Sequence, residues 1–176
     1  MTSPQAEVRA AEEHIPDAAY GRIIAAISTV KARYFRFVDT KQWDKLADLF
    51  TEDSKFFFPE VRAAPFSKAE ILSLIFDSLH DSVSIHHGHM PEIELTSPKT
   101  ACAIWPMEDR ILYSAAATAH HGLTEMHGYG HYHEKYVLTS SGWMISELKL
   151  TRLHKIEVPR ASDASGAAAQ STKHGA

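Results

Sequence analysis

The chain has 176 residues, 44% hydrophobic and 23% charged, with a formal net charge of -4. That is one ordinary soluble domain by size and composition, and the slightly acidic balance lacks the basic footprint of a nucleic-acid binder. No apolar run reaches the roughly 20 residues of a membrane helix, residues 1–10 show no signal-peptide core, and one cysteine, Cys102, leaves no internal disulfide or multi-cysteine metal site.

A polar arm is expected over 1–17. From 18 to 39, Ile23, Ile27, Val30, Tyr34 and Val38 recur at helical spacing and predict an amphipathic helix. A short helix is predicted over 41–50, then a buried strand over 54–59 that ends at Pro59. Ser67 and Glu70 match a capping box and open a helix over 67–80. From 84 onward the pattern is of strands without a helix: 84–95, 100–113, 123–139 and 142–156. Ser97-Pro98, an Ala-rich loop over 114–121 and the tight turn Ser140-Ser141-Gly142 separate them. Helices followed by long antiparallel strands predict an α+β fold with the helices against one face of a curved sheet. The Ala/Ser/Gly-rich stretch over 159–176 is expected to be a disordered tail.

Twelve histidines are an unusual share, and eight of them fall between His86 and His133. His86 and His87 are neighbours on a strand, so only one of them faces a cavity. His127, His131 and His133 share a face with Tyr129 on the next strand but one. That ladder reads as a solvated face, a subunit contact or, less simply, metal ligands. On the strand around Ala101–Ile111 one face presents Ala101, Ala103, Trp105, Met107, Asp109 and Ile111. An acid on so apolar a face is costly unless paired or used; the alternative is a bulge at Pro106 that turns Asp109 outward. Tyr34 is either a core tyrosine or a cavity donor, and Asp39 either a cap of the second helix or a functional acid. Arg152 either snorkels outward or pairs with a buried acid.

Tyr34 followed by Asp39-Thr40-Lys41-Gln42-Trp43-Asp44-Lys45-Leu46 and Leu49-Phe50-Thr51-Glu52-Asp53 resembles the SnoaL-like branch of the nuclear transport factor 2-like superfamily. The run from Ser84-Ile85-His86-His87 to Glu94-Leu95 is similar to that family's first long strand. Gly128-Tyr129-Gly130-His131-Tyr132-His133 and Gly142-Trp143-Met144-Ile145 are similar to its last hairpin. The resemblance implies a single domain over 18–158, a cone-shaped α+β barrel whose bent sheet wraps helices around a deep apolar pocket. It is closest to the dehydratases, scytalone dehydratase and bile acid 7α-dehydratase, and implies a pocket built from Tyr34, Asp39, His86, Asp109 and Arg152. In that pocket His86 is the expected base, with Asp109 on one ring nitrogen, Tyr34 as oxyanion donor and Asp39 as orienting group or second acid. Arg152 is expected to neutralise Asp39 or to hold a substrate carboxylate. Trp105, Met107 and Tyr129 are the expected substrate contacts.

The function implied is a lyase that dehydrates a hydrophobic hydroxy-carbonyl compound with neither metal nor organic cofactor. An isomerase, a polyketide-type cyclase or a non-catalytic binder in the same pocket are the alternatives, since fold alone does not choose. The expected setting is a cytoplasmic homo-oligomer, dimer or trimer, without nucleic-acid or membrane partners. The segments 60–66 and 114–121 are expected to shape the pocket mouth.

Overall fold

A computed structural model describes residues 16–161. The expected arm and tail lie largely outside the described residues. The first helix, α1 (Asp17–Asp39), buries Ile27, Val30, Lys31, Tyr34, Phe37 and Val38. Four of the five predicted positions are in that stripe, Ile23 packs against the core only partly buried, and Lys31 and Phe37 join it. The helix stops where Thr40 N–H bonds back to the Arg36 carbonyl at 2.9 Å and Lys41 takes a left-handed φ of 59°. The turn leads into the short α2 (Trp43–Ala47). Asp39 is therefore the last residue of α1 and not the cap of α2, whose N-cap position is Gln42.

Strand β1 (Phe50–Phe57) starts earlier than predicted and pairs with the two-residue β2 (Phe66–Ser67). Helix α3 (Lys68–Leu79) follows with the predicted capping box, Ser67 and Glu70 each bonding the other's backbone N–H. The single strand predicted over 84–95 is two, β3 (Val83–Gly88) and β4 (Glu92–Ser97). They break around Pro91 and pair with opposite ends of β5 (Thr100–Leu112). The chain closes with β6 (Leu123–Thr139) and β7 (Gly142–Pro159), joined by the predicted tight turn.

The 114–121 segment is a helix, α4 (Ala115–His121), where none was predicted. Its alanines favour helix, the Ser114 side chain accepts from Ala117 N–H, and Gly122 ends it in the left-handed region at φ 72°. The expectation of a strand-only C-terminal half is corrected on this point.

The seven-stranded sheet has the order β2-β1-β7-β6-β5-β3, with β4 on the remaining part of the β5 edge. It is mixed: β1 runs parallel to β7 while the other pairs are antiparallel. Its concave side closes over α1 and α3, which makes the domain a cone-shaped α+β fold. The core runs along that side through Phe37, Leu46, Phe50, Phe56, Ile71, Trp105, Tyr132, Ile145 and Leu148. No helix among the described residues is long and apolar enough to cross a membrane.

The inside of the cone also holds an ion pair. Lys31 Nζ lies 2.5 Å from Glu134 Oε1, with side chains 1% and 0% exposed. The second Glu134 oxygen accepts from Tyr136 OH, which in turn accepts from Trp105 Nε1 at 3.2 Å. Burial lowers the Lys31 pKa from 10.5 to about 8, against the opposing pull of Glu134. Between those values the unfolded chain holds a proton that the native lysine has released, so the Lys31 contribution to stability rises with pH across that window. Replacing one partner leaves the other charge buried alone. Lys31→Met is expected to lower the unfolding free energy in urea by about 3–5 kcal/mol at neutral pH, and by more as the pH approaches 10.

Candidate active site

The inner parity of β5 carries through without interruption. Ala101, Ala103, Trp105, Met107, Asp109 and Ile111 are all buried, and the register with β6 is continuous past Pro106. Asp109 therefore faces inward, 3% exposed. On the neighbouring strand His86 stands directly opposite it in register.

These two residues do not pair. His86 Nδ1 lies 2.6 Å from Asp39 Oδ1, and the His86 backbone N–H donates to Asp39 Oδ2 at 2.8 Å. Ser84 Oγ donates to Asp39 at 3.1 Å and accepts from Lys41 Nζ at 2.8 Å. The reason is topological. β3 is the edge strand, so the His86 amide is free of the ladder, and the end of α1 delivers Asp39 to it. Asp39 is acceptor-only as a carboxylate, so Nδ1 carries the ring proton and Nε2 is left for the cavity.

Asp109 is taken by Arg152 instead, through a bidentate pair of 2.5 and 2.7 Å. Arg152 projects from β7 and crosses β6 to reach β5. It can cross because the β6 residue opposite Asp109 is Gly128. A Cβ at Gly128 would stand 2.2 Å from Arg152 Nη1 and 2.5 Å from Asp109 Oδ1. Burial lowers the guanidinium pKa, but the hydrogen bonds and charge of Asp109 outweigh it and the net shift is upward. Arg152 Nε is buried without a hydrogen-bond partner.

The two pairs face one cavity of about 250 Å³. Its apolar wall comes from Val38, Phe58, Ile71, Leu74, Ile75, Leu79, Ile111, Met126 and Leu150; its polar wall from Tyr34, His86, Asp109, Tyr113, Tyr132 and Arg152. Tyr34 and Tyr132 meet edge to face at 5.8 Å. Burial pushes both hydroxyls well above the ordinary phenol range, so each stays a neutral donor. At the mouth are Glu60 and Val61 after β1, and Tyr113 with His121, whose rings lie 5.1 Å apart. Both expected mouth segments thus contribute.

The five expected pocket residues, Tyr34, Asp39, His86, Asp109 and Arg152, are brought together, with Asp39 behind His86 rather than on the cavity wall. The expected partners are exchanged: Asp39 serves His86, and Arg152 serves Asp109. The three expected substrate contacts are corrected. Trp105 and Met107 are buried in the core beside the cavity and do not line it. Met107 Sδ backs the Arg152 guanidinium at 3.8 Å, and Trp105 bonds Tyr136. Tyr129 lies on the outer face of β6, against His127 at 4.5 Å and His154 at 6.5 Å.

That outer face also carries His131 and His133, while His87 on β3 turns outward to Glu108. Among the described residues no group of three or more His, Cys, Asp or Glu is placed to hold a metal ion. Sequence reasoning had missed Tyr132, Tyr113, His121 and Gly128. The signal for two of them was the other parity of β6: Met126, Gly128, Gly130, Tyr132, Glu134 and Tyr136 are the buried set. Glycine inside a strand marks a close approach.

A bent sheet closed over helices around an apolar cavity with a polar wall is the architecture of the cone-shaped α+β barrels. The chain belongs to the SnoaL-like domain family, whose sequence profile matches residues 22–149. A protein named "Probable cyclase FGR4" from Gibberella zeae is 28% identical over 137 residues, 74% of this chain and 91% of its own length. A hexachlorocyclohexane dehydrochlorinase, LinA type 2, superposes with a TM-score of 0.68 at 16% identity, over 81% of this chain and 93% of its own. A scytalone dehydratase-like protein from Novosphingobium aromaticivorans superposes at 0.69 with 16% identity, over 82% and 97%. At such identities the solved structures establish the shared fold.

Gly128→Ala is expected to force the Asp109–Arg152 pair apart and to cost about 1–3 kcal/mol in urea unfolding. Gly21→Ala is the control: nothing lies within 4 Å of its added Cβ, and in mid-helix it is expected to stabilise by about 0.5–1 kcal/mol.

Proposed function

We propose that the protein is a cofactor-independent lyase that removes water from a hydrophobic hydroxy-carbonyl compound, steroid- or polyketide-like, bound in this cavity. The observation that carries the reading is the Asp39–His86 pair, which engages Nδ1 of a ring that lines an apolar cavity beside two phenol donors. Water elimination next to a carbonyl needs a base for the activated C–H, donors for the enolate oxygen and an acid for the leaving hydroxyl. His86 Nε2 takes the C–H proton, and Asp39 stabilises the imidazolium that results. Tyr34 and Tyr132 donate to the developing oxyanion. The imidazolium returns its proton to the departing hydroxyl, which leaves as water. The Arg152 Nε–H, which has no hydrogen-bond partner and lies 4.0 Å from Glu60 Oε2, anchors a polar oxygen of the substrate, while Asp109 fixes the guanidinium.

The relative named as a cyclase favours a second reading. The same base and donors would drive an intramolecular carbon–carbon closure, since that too begins with an enolate. The names of the structural neighbours, a dehydratase and a dehydrochlorinase, favour elimination.

The test is a thermal-shift screen of hydroxy-ketone steroids and polyketides, with hits incubated and followed by mass spectrometry. The expected product has lost one water, and its rate of formation falls by about 10²–10⁴-fold in His86→Ala and Asp39→Asn. A product of unchanged mass and altered absorbance, lost in the same variants, establishes the cyclase or isomerase reading. A compound that binds unchanged, with affinity indifferent to both substitutions, sinks the catalytic assignment.

A further inference from the structure

We propose that Lys31, clamped by Glu134, is a positioning residue that polarises the Tyr34–Tyr132 donor pair from behind the cavity wall. The proposal deepens the function proposed above and rests on those phenols meeting a substrate oxygen. Lys31 sits one turn before Tyr34 on the same face of α1. It is not part of the cavity lining, so it acts through its neighbours. Its ammonium lies 3.6 Å from the centre of the Tyr132 ring, 4.2 Å from that of Tyr34 and 4.7 Å from that of Phe35. All are within cation–π range. Phe35 in turn stacks on His86, 6.2 Å away and 18° from parallel. This buried cation therefore touches the two phenols of the polar wall and the ring behind the proposed base.

The chemistry follows from the geometry. A cation on the face of a phenol draws electron density from the ring and makes its O–H a stronger donor and a weaker acceptor. As that O–H is shared with an enolate oxygen, the ring takes on phenolate character, and its attraction to the ammonium grows. The interaction is thus stronger with a developing oxyanion than with a neutral carbonyl, which is the condition for lowering a barrier. Stability alone does not explain the pair, because a buried ion pair is commonly matched or exceeded by apolar residues of similar volume. Glu134 keeps the cation from swinging away, and Tyr136 and Trp105 keep Glu134 in place.

The groups facing Lys31 are Glu134, Tyr132 and Tyr136 from β6 and Tyr34 and Phe35 from α1. Asp39 and Asp109 bear on Tyr34 from farther away. Deprotonation of Lys31 should therefore be visible at Tyr34 and Tyr132.

The experiment uses the full chain labelled with ¹³Cζ-tyrosine and ¹³Cε-lysine, with Tyr34→Phe and Tyr132→Phe for assignment. In the wild type the Tyr34 and Tyr132 signals are expected to shift together with the Lys31 signal, at one midpoint below lysine's ordinary 10.5. Lys31→Met alone leaves Glu134 buried without its cation, so the main variant is Lys31→Met/Glu134→Gln, whose amide oxygen still accepts from Tyr136. In that variant the shared step is expected to vanish. Its affinity for 2-naphthol is expected to fall about tenfold, or ~1.4 kcal/mol, while its affinity for naphthalene, which has no oxygen, stays the same.

Tyrosine signals that ignore Lys31, or equal losses of naphthol and naphthalene binding, overturn the proposal and reduce the pair to packing. These readouts need no turnover. A failed product screen with an intact Lys31–tyrosine coupling would count against the lyase reading and leave the polarised pair standing.

Discussion

A dry interior that holds carboxylates is the constraint on which this structure depends. Asp109 and Glu134 project from the concave side of the sheet, each almost fully buried. An uncompensated charge there is prohibitively costly, so each acid has a cation from a different element. Arg152 ties β7 to β5, and Lys31 ties α1 to β6. Asp39 does the comparable work at the mouth of α1, binding both the ring and the backbone of His86. Such pairs add little net stability, but a slipped register would strand a charge. They therefore select the alignment of helix and strands that also builds the cavity.

The inner row of β6 shows how the space is made. Gly128 and Gly130 come before Tyr132, Glu134 and Tyr136 on the same face. At Gly128 the missing side chain is replaced by the crossing Arg152–Asp109 pair. At Gly130 an added Cβ would lie 2.1 Å from the Thr151 carbonyl oxygen, next to the irregularity where β7 skips a residue between Arg152 and His154. That irregularity turns Leu153 outward, 74% exposed, while Arg152 keeps the inward direction of Leu148 and Leu150. The glycines thus make room for a guanidinium in the middle of a sheet, and the bulky half of the row closes the cavity from below.

Much of this was legible in the chain. The stripe of α1, the capping box at Ser67 and the strict alternation of β5 are local patterns, and local patterns survive folding. The inward direction of Asp109 could be read because β5 has no bulge. Partner choice could not be read. Asp39, Asp109, His86 and Arg152 offer more than one sensible pairing, and the choice depends on β3 being an edge strand and on β6 lying between β5 and β7. Both are facts of strand order, which sequence spacing does not encode. The assignment of Tyr129 failed for a simpler reason: its neighbours on the same parity, His127, His131 and His133, already marked an outer face. Lys31 was hidden inside an apolar stripe because its partner is 103 residues away.

The pairings also sort the cavity groups by what they can do with a proton. Asp109 is held by both terminal guanidinium nitrogens of Arg152, Nη1 and Nη2. The phenols of Tyr34, Tyr132 and Tyr113 are driven upward by burial and serve as donors that keep their protons. Arg152 stays cationic. That leaves His86, backed by Asp39, as the inner-wall group that, under the proposed reading, takes a proton and gives it back. Under the proposed reading, removal of the C–H proton and delivery to the leaving hydroxyl then pass through a single imidazole, and both groups must lie within its reach. A dehydratase and a cyclase working here would share that base and those donors. They would differ in what stands beside Arg152: a hydroxyl ready to leave, or a second carbonyl ready to be attacked. Under that reading, reaction type would be decided by the shape of the apolar wall from α3 and the mouth from α4, which fix how the substrate lies, rather than by the acid–base set.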